Sequence, residues 1–92
     1  MTRANTPNMN ITIYTQPSCT YCEQAKALMK SKNIPYIELI LNVGQKQLEG
    51  KTYVPVQHLK DRRPDAKTIP QIFNGKHYIG GFTELQKYLQ HD

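Results

Sequence analysis

The fold of this chain is decided by residues 10–30, which read NITIYTQPSCTYCEQAKALMK. Residues 10–15 alternate β-branched and aromatic side chains with polar ones, a pattern that predicts a strand. Residues 16–18 break this pattern. Good helix formers then dominate from Cys19 to Lys32. The apolar residues among them share one face at helical spacing, namely Tyr21, Ala25 and Leu28, joined by Cys22 and Met29. The stretch therefore predicts a strand that leads directly into a helix, with Cys19 at the N-terminus of that helix.

The next segments predict an α/β chain. Residues 36–41 are almost continuously apolar, which is typical of a strand covered on both faces. Strand, helix and strand then form a βαβ unit with a right-handed crossover. Residues 42–52 are polar and predict a loop that includes a helical turn. Pro55 is expected to begin a short helix, which Pro64 ends.

The C-terminal third predicts a hairpin and a last helix. The dipeptide Asn74-Gly75 lies between two β runs, and this pair is a strong hairpin signal. The helix is expected to begin at Thr83, where Thr83 and Gln86 fit a capping box. Its buried face is expected to comprise Leu85, Tyr88 and Leu89.

Length and hydropathy predict one small domain away from membranes. The chain has 92 residues, enough for a single modest core. No apolar run approaches the roughly 20 residues that cross a bilayer, and the N-terminus lacks the apolar stretch of a secretory signal. The cytoplasm is therefore the expected location. Residues 1–9 predict a flexible N-terminal extension, in which Met9 is an alternative start, and residues 10–92 predict the domain.

Charge gives a weaker indication of partners. The net charge is +5, from 12 basic and 7 acidic residues. The basic residues are spread along the chain without a basic run or an aromatic-basic RNA motif, so nucleic-acid binding is not expected. A milder interpretation is attraction toward small anions or acidic protein partners.

Both cysteines of the chain, Cys19 and Cys22, have the C-x-x-C spacing. In a reduced protein this spacing indicates a redox pair or half of a metal site. A structural zinc site usually takes four protein ligands, and no H-x-x-x-H pair accompanies the cysteines, so no metal is expected. Two cysteines that merely pack in the core remain the plain alternative.

The helix gives the two thiols unequal roles. A cysteine at a helix N-terminus faces free N–H groups and the positive end of the dipole, which favour thiolate over thiol. Cys19 is thus the predicted nucleophile. Cys22, one turn further in, is expected to be more buried and to resolve a mixed disulfide formed on Cys19. Pro70, which opens a predicted strand, is either a strand terminator or a cis proline, and the residues alone favour the terminator.

Three ordered motifs resemble the glutaredoxin family, within the thioredoxin fold. They are Pro17-Ser18-Cys19-Thr20-Tyr21-Cys22, Thr68-Ile69-Pro70-Gln71-Ile72-Phe73 and Gly80-Gly81-Phe82-Thr83-Glu84-Leu85. The resemblance covers almost all of residues 10–89 and is strongest to small bacterial and phage members. It implies an α/β fold of three layers, thioredoxin-like α/β/α, with a mixed four-stranded sheet whose third strand is antiparallel. It also implies that Pro70 is cis.

The resemblance implies a glutathione-dependent thiol-disulfide oxidoreductase that reduces protein disulfides and glutathione mixed disulfides through Cys19 and Cys22. The resemblance also implies that the protein is a monomer, and that it lies in the host cytoplasm if a phage encodes it. Ribonucleotide reductase is a candidate protein client. Ile69 would pair with the glutathione backbone, Thr83 and Glu84 would receive its γ-glutamyl end, and Lys67 or Gln57 would reach its glycyl carboxylate. The implied glutathione-binding residues are Tyr21, Gln57, Lys67, Thr68, Ile69, Pro70, Gly80, Gly81, Phe82, Thr83 and Glu84.

Two departures from the family pattern bear on activation of the thiol. Family members usually carry Lys or Arg where this chain has Gln16, so thiolate stabilisation must rest more on the helix terminus. The commonest version of the family motif has proline at the position of Thr20. Its replacement by threonine frees a backbone N–H and is expected to alter the redox potential.

Two alternative functions stay open. Some family members with a small hydroxyl residue at the position of Thr20 hold a [2Fe-2S] cluster between two subunits with glutathione, so a cluster carrier is one alternative. A redoxin recharged by thioredoxin reductase is the other, although the chain has no tryptophan, which thioredoxin normally carries beside its first cysteine.

Overall fold

The computed structural model describes residues 9–90. Residues 1–8 of the predicted extension lie outside the described residues. Its last residue, Met9, packs against the core. In chain order the elements are β1 (Ile11–Thr15), α1 (Thr20–Ser31), β2 (Tyr36–Asn42), β3 (Tyr53–Pro55), α2 (Val56–Arg62), β4 (Gln71–Asn74), β5 (His77–Gly80) and α3 (Phe82–Leu89).

The strands form one mixed sheet in the order β3-β2-β1-β4-β5. β2 is parallel to β1 and to β3, whereas β4 runs antiparallel to β1 and β5. The predicted antiparallel strand is confirmed as β4. The sheet has five strands rather than the predicted four, because Tyr53–Pro55 pairs with the end of β2. A run of three residues is too short to show the alternation that identifies strands in a sequence.

Helices cover both faces of the sheet, which confirms the three-layer arrangement. On one face α1 and α3 bury Ala25, Met29, Leu85 and Leu89 against isoleucines of the sheet. On the other face α2 buries Leu59 against Tyr14, Leu41 and Phe73. Cys22 and Ala25 share the buried side of α1, whereas Tyr21, predicted to lie on the same side, is 61% exposed.

The second face is only partly covered by a helix. α2 has seven residues, and Ile37, on the same face of β2 as Leu39 and Leu41, is 61% exposed. The prediction that β2 is covered on both faces is therefore wrong at its N-terminal half, because the helix is too short to reach it. Two arginines extend the cover, with Arg62 stacked 3.9 Å from the ring centre of Phe73 and Arg63 3.9 Å from that of Tyr78.

The connections follow the sequence with one exception. The predicted hairpin is confirmed, and Gly75, with φ of +58°, lies in its turn. Pro55 caps α2, and Arg63 ends it just before Pro64, as expected. The described loop over residues 43–52 contains bends and turns but no helical turn. Two of its residues are glycines at positive φ, Gly44 and Gly50, which a helix disfavours.

Candidate active site

Cys19 and Cys22 meet where β1 leads into α1. Cys19 is the N-cap residue of α1, and the two sulfurs form a disulfide whose Cα atoms are 5.2 Å apart. The backbone N–H of Cys22 donates to Cys19 Sγ at 3.1 Å. Because this donor and the helix dipole favour negative charge at the N-cap, the geometry stabilises a Cys19 thiolate once the pair is reduced. The predicted position of Cys19 is confirmed.

The two sulfurs differ in access. Cys22 has no exposed surface, whereas Cys19 is partly exposed. A large partner can therefore reach only Cys19, and Cys22 can react only with a sulfur already bound there. The expected burial of Cys22 is confirmed, whereas the roles of nucleophile and resolving thiol stay predictions.

The segment before β4 faces the cysteines. The peptide bond between Ile69 and Pro70 is cis, so the resemblance is right about Pro70 and the terminator favoured by the residues alone is wrong. The carbonyl oxygen of Ile69 lies 3.8 Å from Cys19 Sγ. This carbonyl and the sulfur therefore share one surface, on which an extended peptide would contact both.

A groove of about 220 Å³ lies beside this surface. It is lined by Tyr21 of α1, by residues 68–70 and by residues 81–84. Tyr21 and Phe82 stack across it, with ring centres 6.1 Å apart and planes inclined by 25°. The groove thus brings together most of the residues that the resemblance assigns to glutathione.

Three residues of that assignment lie outside the groove lining. Gln57 donates to Asp61 Oδ1 at 2.8 Å along α2. Lys67 lines a neighbouring cavity of about 390 Å³. Gly80 is buried behind the groove, with φ of +127°, and a Cβ there would lie 2.7 Å from Glu84 Cγ. Glycine is therefore required at position 80 so that Glu84 can pack closely.

The start of α3 differs from the prediction. Gly81, not Thr83, is the N-cap residue, and its N–H donates to Glu84 Oε1 at 2.9 Å. The predicted capping box of Thr83 and Gln86 is therefore wrong by two residues. Only half of a capping box is present. Glycine has no side chain that could accept a hydrogen bond, so the one side-chain bond of the box is the bond that Glu84 accepts from the Gly81 N–H. Thr83 is left exposed at the groove.

Comparison with known proteins shows the family of the chain. A family model described as Glutaredoxin matches residues 11–78. The chain belongs to the glutaredoxin family. It is 36% identical over 76 residues to Glutaredoxin 3 of Escherichia coli, covering 83% of this chain and 81% of the relative. The crystal structure of Glutaredoxin 1 from Francisella tularensis, complexed with cacodylate, superposes with a TM-score of 0.66 at 29% identity, covering 89% of this chain and 93% of that one.

A longer relative carries a similar segment. Hybrid peroxiredoxin hyPrx5 of Haemophilus influenzae is 35% identical over 80 residues, which are 87% of this chain. This glutaredoxin spans only 29% of the length of that relative. By its family and its cysteine pair, the chain is a thiol-disulfide oxidoreductase with a thioredoxin-like fold.

A polar network beside the glutaredoxin cysteines was missed by the sequence analysis. Glu38 of β2 accepts from Thr15 Oγ1 at 2.7 Å and from Lys26 Nζ at 3.0 Å, and Lys26 also pairs with Glu23. It ties α1, which carries both cysteines, to the sheet. The sequence does contain one signal of this network, because Glu38 is the single carboxylate within an apolar strand and a buried charge requires a partner.

The network shifts the pKa of both main partners. Burial of Glu38 would raise the pKa of its carboxyl, but hydrogen bonds from Thr15 and Lys26, with the charges of Lys26 and Lys51, hold that pKa below its usual value. Burial would likewise lower the pKa of Lys26, yet its bonds to Glu38 and Glu23 raise the pKa of the ammonium above its usual value. Both groups are therefore held in their charged forms.

Gln16 occupies the position at which the family resemblance implies a cation. It is exposed just before the cysteine loop and lines the same cavity as Lys67. Within residues 9–90 no group of three or more His, Cys, Asp or Glu side chains is placed to hold a metal ion. No helix in the same range is long and apolar enough to cross a bilayer.

Proposed function

We propose that this glutaredoxin uses glutathione to reduce protein disulfides and glutathione mixed disulfides. The observation that carries the proposal is the position of Cys19. Cys19 is partly exposed, and its Sγ lies 3.8 Å from the carbonyl oxygen of Ile69, a residue that lines a groove of about 220 Å³. The Ile69 backbone offers an acceptor to a bound peptide. Cys22 is buried next to Cys19 and can attack the mixed disulfide formed there.

The reaction follows from the two positions. Cys19 thiolate attacks a substrate disulfide, so that a bond forms between Cys19 and one substrate sulfur while the other sulfur leaves as a thiolate and is protonated. Cys22, after loss of its proton, attacks Cys19 and releases the second substrate thiol. The Cys19–Cys22 disulfide now holds the two oxidising equivalents. Two glutathione molecules restore the dithiol and leave as glutathione disulfide.

The charges around the groove suit glutathione. An antiparallel backbone pairing with Ile69 would direct its γ-glutamyl end to the N-terminus of α3. There the exposed hydroxyl of Thr83 and the helix N–H groups suit a carboxylate, and Glu84 suits the ammonium. Its glycyl end would point toward Lys67, which supplies a cation that Gln16 does not. Gln57 would have to leave its bond to Asp61 to join it.

Separate cysteine variants test this function. We expect Cys19→Ser to abolish all turnover, because no other thiol is accessible. Cys22→Ser should keep turnover of a glutathione mixed disulfide, in which glutathione itself displaces the product, and lose reduction of a protein disulfide. Both are measured by NADPH consumption with glutathione and glutathione reductase. Equal loss of both activities in Cys22→Ser would contradict the assigned roles.

The source of electrons needs its own comparison. We expect glutathione with glutathione reductase to recharge the oxidised pair, and thioredoxin reductase to do so at least tenfold more slowly. The reverse order would favour the redoxin alternative. Dependence on glutathione also places the protein in a reducing compartment such as the cytoplasm, where the glutathione pool is kept reduced. We propose that it acts there as a monomer.

Two protein clients are candidates. Ribonucleotide reductase follows from the resemblance to small bacterial and phage members. A peroxiredoxin is favoured by the relative named as a hybrid peroxiredoxin, of which 29% of the length is spanned by this chain. The rates at which the reduced protein reduces each purified oxidised client would rank the two, with Cys22→Ser as the control that traps mixed disulfides.

The cluster-carrier alternative has a direct test. Anaerobic incubation of the reduced protein with iron, sulfide and glutathione, followed by gel filtration, measures whether a coloured dimer forms. A colourless monomer would remove this alternative. A coloured dimer would support it.

A further inference from the structure

A second cavity adjoins the groove at Ile69. It measures about 390 Å³ and shares Thr68 and Ile69 with the groove. The backbone that faces Cys19 therefore borders both recesses, the groove toward α3 and the second cavity toward α2. A peptide paired with Ile69 would place the residues before its cysteine over the groove and those after it over the second cavity.

The second cavity is apolar at its base and at its rim. The buried side chains of Leu41, Leu59 and Ala66 form the base. Val43 and Val56 stand at the rim and are 55% and 38% exposed. Exposed valines over a buried apolar base leave apolar area that a bound side chain would remove from water.

Glutathione would reach only Lys67 here, through its glycyl carboxylate, because the residue after its cysteine is glycine and has no side chain to fill the apolar part. A protein substrate has a side chain at that position. The charged residues of the lining are Lys60 and Lys67, with no acidic residue among them. Lys60 Nζ donates to the carbonyl of Ala66 at 2.7 Å, whereas Lys67 is exposed. The charge therefore suits an acidic group just beyond the apolar side chain.

We propose that this cavity is a specificity pocket for protein substrates. It takes the side chain of the residue immediately after the substrate cysteine, with a preference for an apolar residue there and an acidic residue next. The inference rests on the proposed function, since it uses the same backbone pairing at Ile69. The side chain after the cysteine would then let the enzyme distinguish a protein disulfide from a glutathione mixed disulfide.

The test uses the reduced full-length protein and symmetric disulfide dimers of a short blocked peptide. The peptides differ only in the residue after the cysteine, which is leucine or glycine, and a third peptide has leucine before the cysteine. Stopped-flow measurement gives the second-order rate constant for attack by Cys19 without any glutathione. Rates with dithiothreitol correct for the intrinsic reactivity of each peptide. We expect leucine after the cysteine to give about a tenfold faster reaction than glycine, the lower end for filling an apolar pocket.

Matched variants locate the effect. Val43→Ser should reduce the leucine preference to about threefold. Leu48→Ser is the control, because Leu48 is also 55% exposed in the same loop but lines a different cavity. It should keep the tenfold preference. Glutamate rather than lysine after the leucine should add about twofold to fivefold at low salt, and Lys67→Gln should remove that gain.

Several results would overturn the proposal. They are equal rates for leucine and glycine, an equal gain from leucine before the cysteine, or equal effects of Val43→Ser and Leu48→Ser. Equal rates for glutamate and lysine would overturn its acidic part. Failure of glutathione to recharge the enzyme, with the leucine preference intact, would instead refute the proposed function alone.

Discussion

Replacing Glu38 by glutamine keeps the shape of the side chain and removes its charge. Glu38 Oε2 accepts from Thr15 Oγ1 at 2.7 Å and Lys26 Nζ at 3.0 Å. The side chains of Lys26 and Glu38 are only 14% and 18% exposed. Glutamine can still accept one hydrogen bond, but the Lys26 ammonium is left with Glu23, whose side chain is 73% exposed. The variant therefore loses a charge-assisted bond in a partly dry setting.

The magnitude follows from that loss. A hydrogen bond to a charged group contributes about 1.5–3 kcal/mol, and glutamine retains part of it. We expect Glu38→Gln to lower the free energy of unfolding by about 1–2 kcal/mol at pH 7. In a domain of this size that corresponds to a fall in Tm of about 5–15 °C. Urea unfolding of the oxidised protein measures the free energy, and Glu49→Gln, at an exposed position, is the control.

The effect of Glu38→Gln should depend on pH with a defined sign. Because the folded-state pKa of Glu38 lies below its usual 4.5, its stabilisation is complete above that value and is lost as the pH falls through the folded pKa. The pKa of Lys26 is raised above 10.5, so its share is complete below 10.5 and is lost as the pH rises through the folded value. The difference between parent and variant should therefore be constant from about pH 5 to 10 and shrink in acid. A difference below about 0.5 kcal/mol at pH 7, or one undiminished in strong acid, would refute the reasoning.

Other substitutions test the core and the groove. Ile72→Ala should lower the free energy of unfolding by about 3 kcal/mol, because Ile72 has no exposed surface. Ile37→Ala, at a strand position that is 61% exposed, should cost less than about 1 kcal/mol, and similar costs for the two would contradict the assigned core. Gly80→Ala should raise the KM for a glutathione mixed disulfide by displacing Glu84, and it should cost more stability than Gly75→Ala, where a Cβ meets open space. Unfolding curves and steady-state kinetics of the same preparations measure both effects, and an unchanged KM for Gly80→Ala would show that Glu84 does not contact the ligand.

The parts of the fold that follow local rules could be predicted from the sequence. Periodicity identifies β1 and α1, and the Asn74-Gly75 pair identifies the hairpin, because each depends on neighbouring residues alone. The strand β3 could not be predicted, since its three residues become a strand only by pairing with the end of β2. The exposure of Ile37 likewise depends on the length of α2, which lies elsewhere in the chain.

The site divides in the same way. The N-terminal position of Cys19 follows from the break at residues 16–18. The cis bond before Pro70 does not follow from local residues, and only the family resemblance indicates it. The cap of α3 was misplaced because Thr83 is a better capping residue than Gly81 by side chain. The backbone at Gly81 and the reach of Glu84 decide the cap instead.

The complete burial of Cys22 has a kinetic consequence. Because Cys19 is the accessible member of the cysteine pair, oxidant and reductant must collide with the same sulfur atom, and they cannot be bound there together. The two half-reactions must therefore alternate, as in a ping-pong mechanism. Each partner then acts as a competitive inhibitor of the half-reaction that belongs to the other. In a cell, the ratio of glutathione to oxidised client would set not only the direction of electron flow but also how long the enzyme spends in each oxidation state.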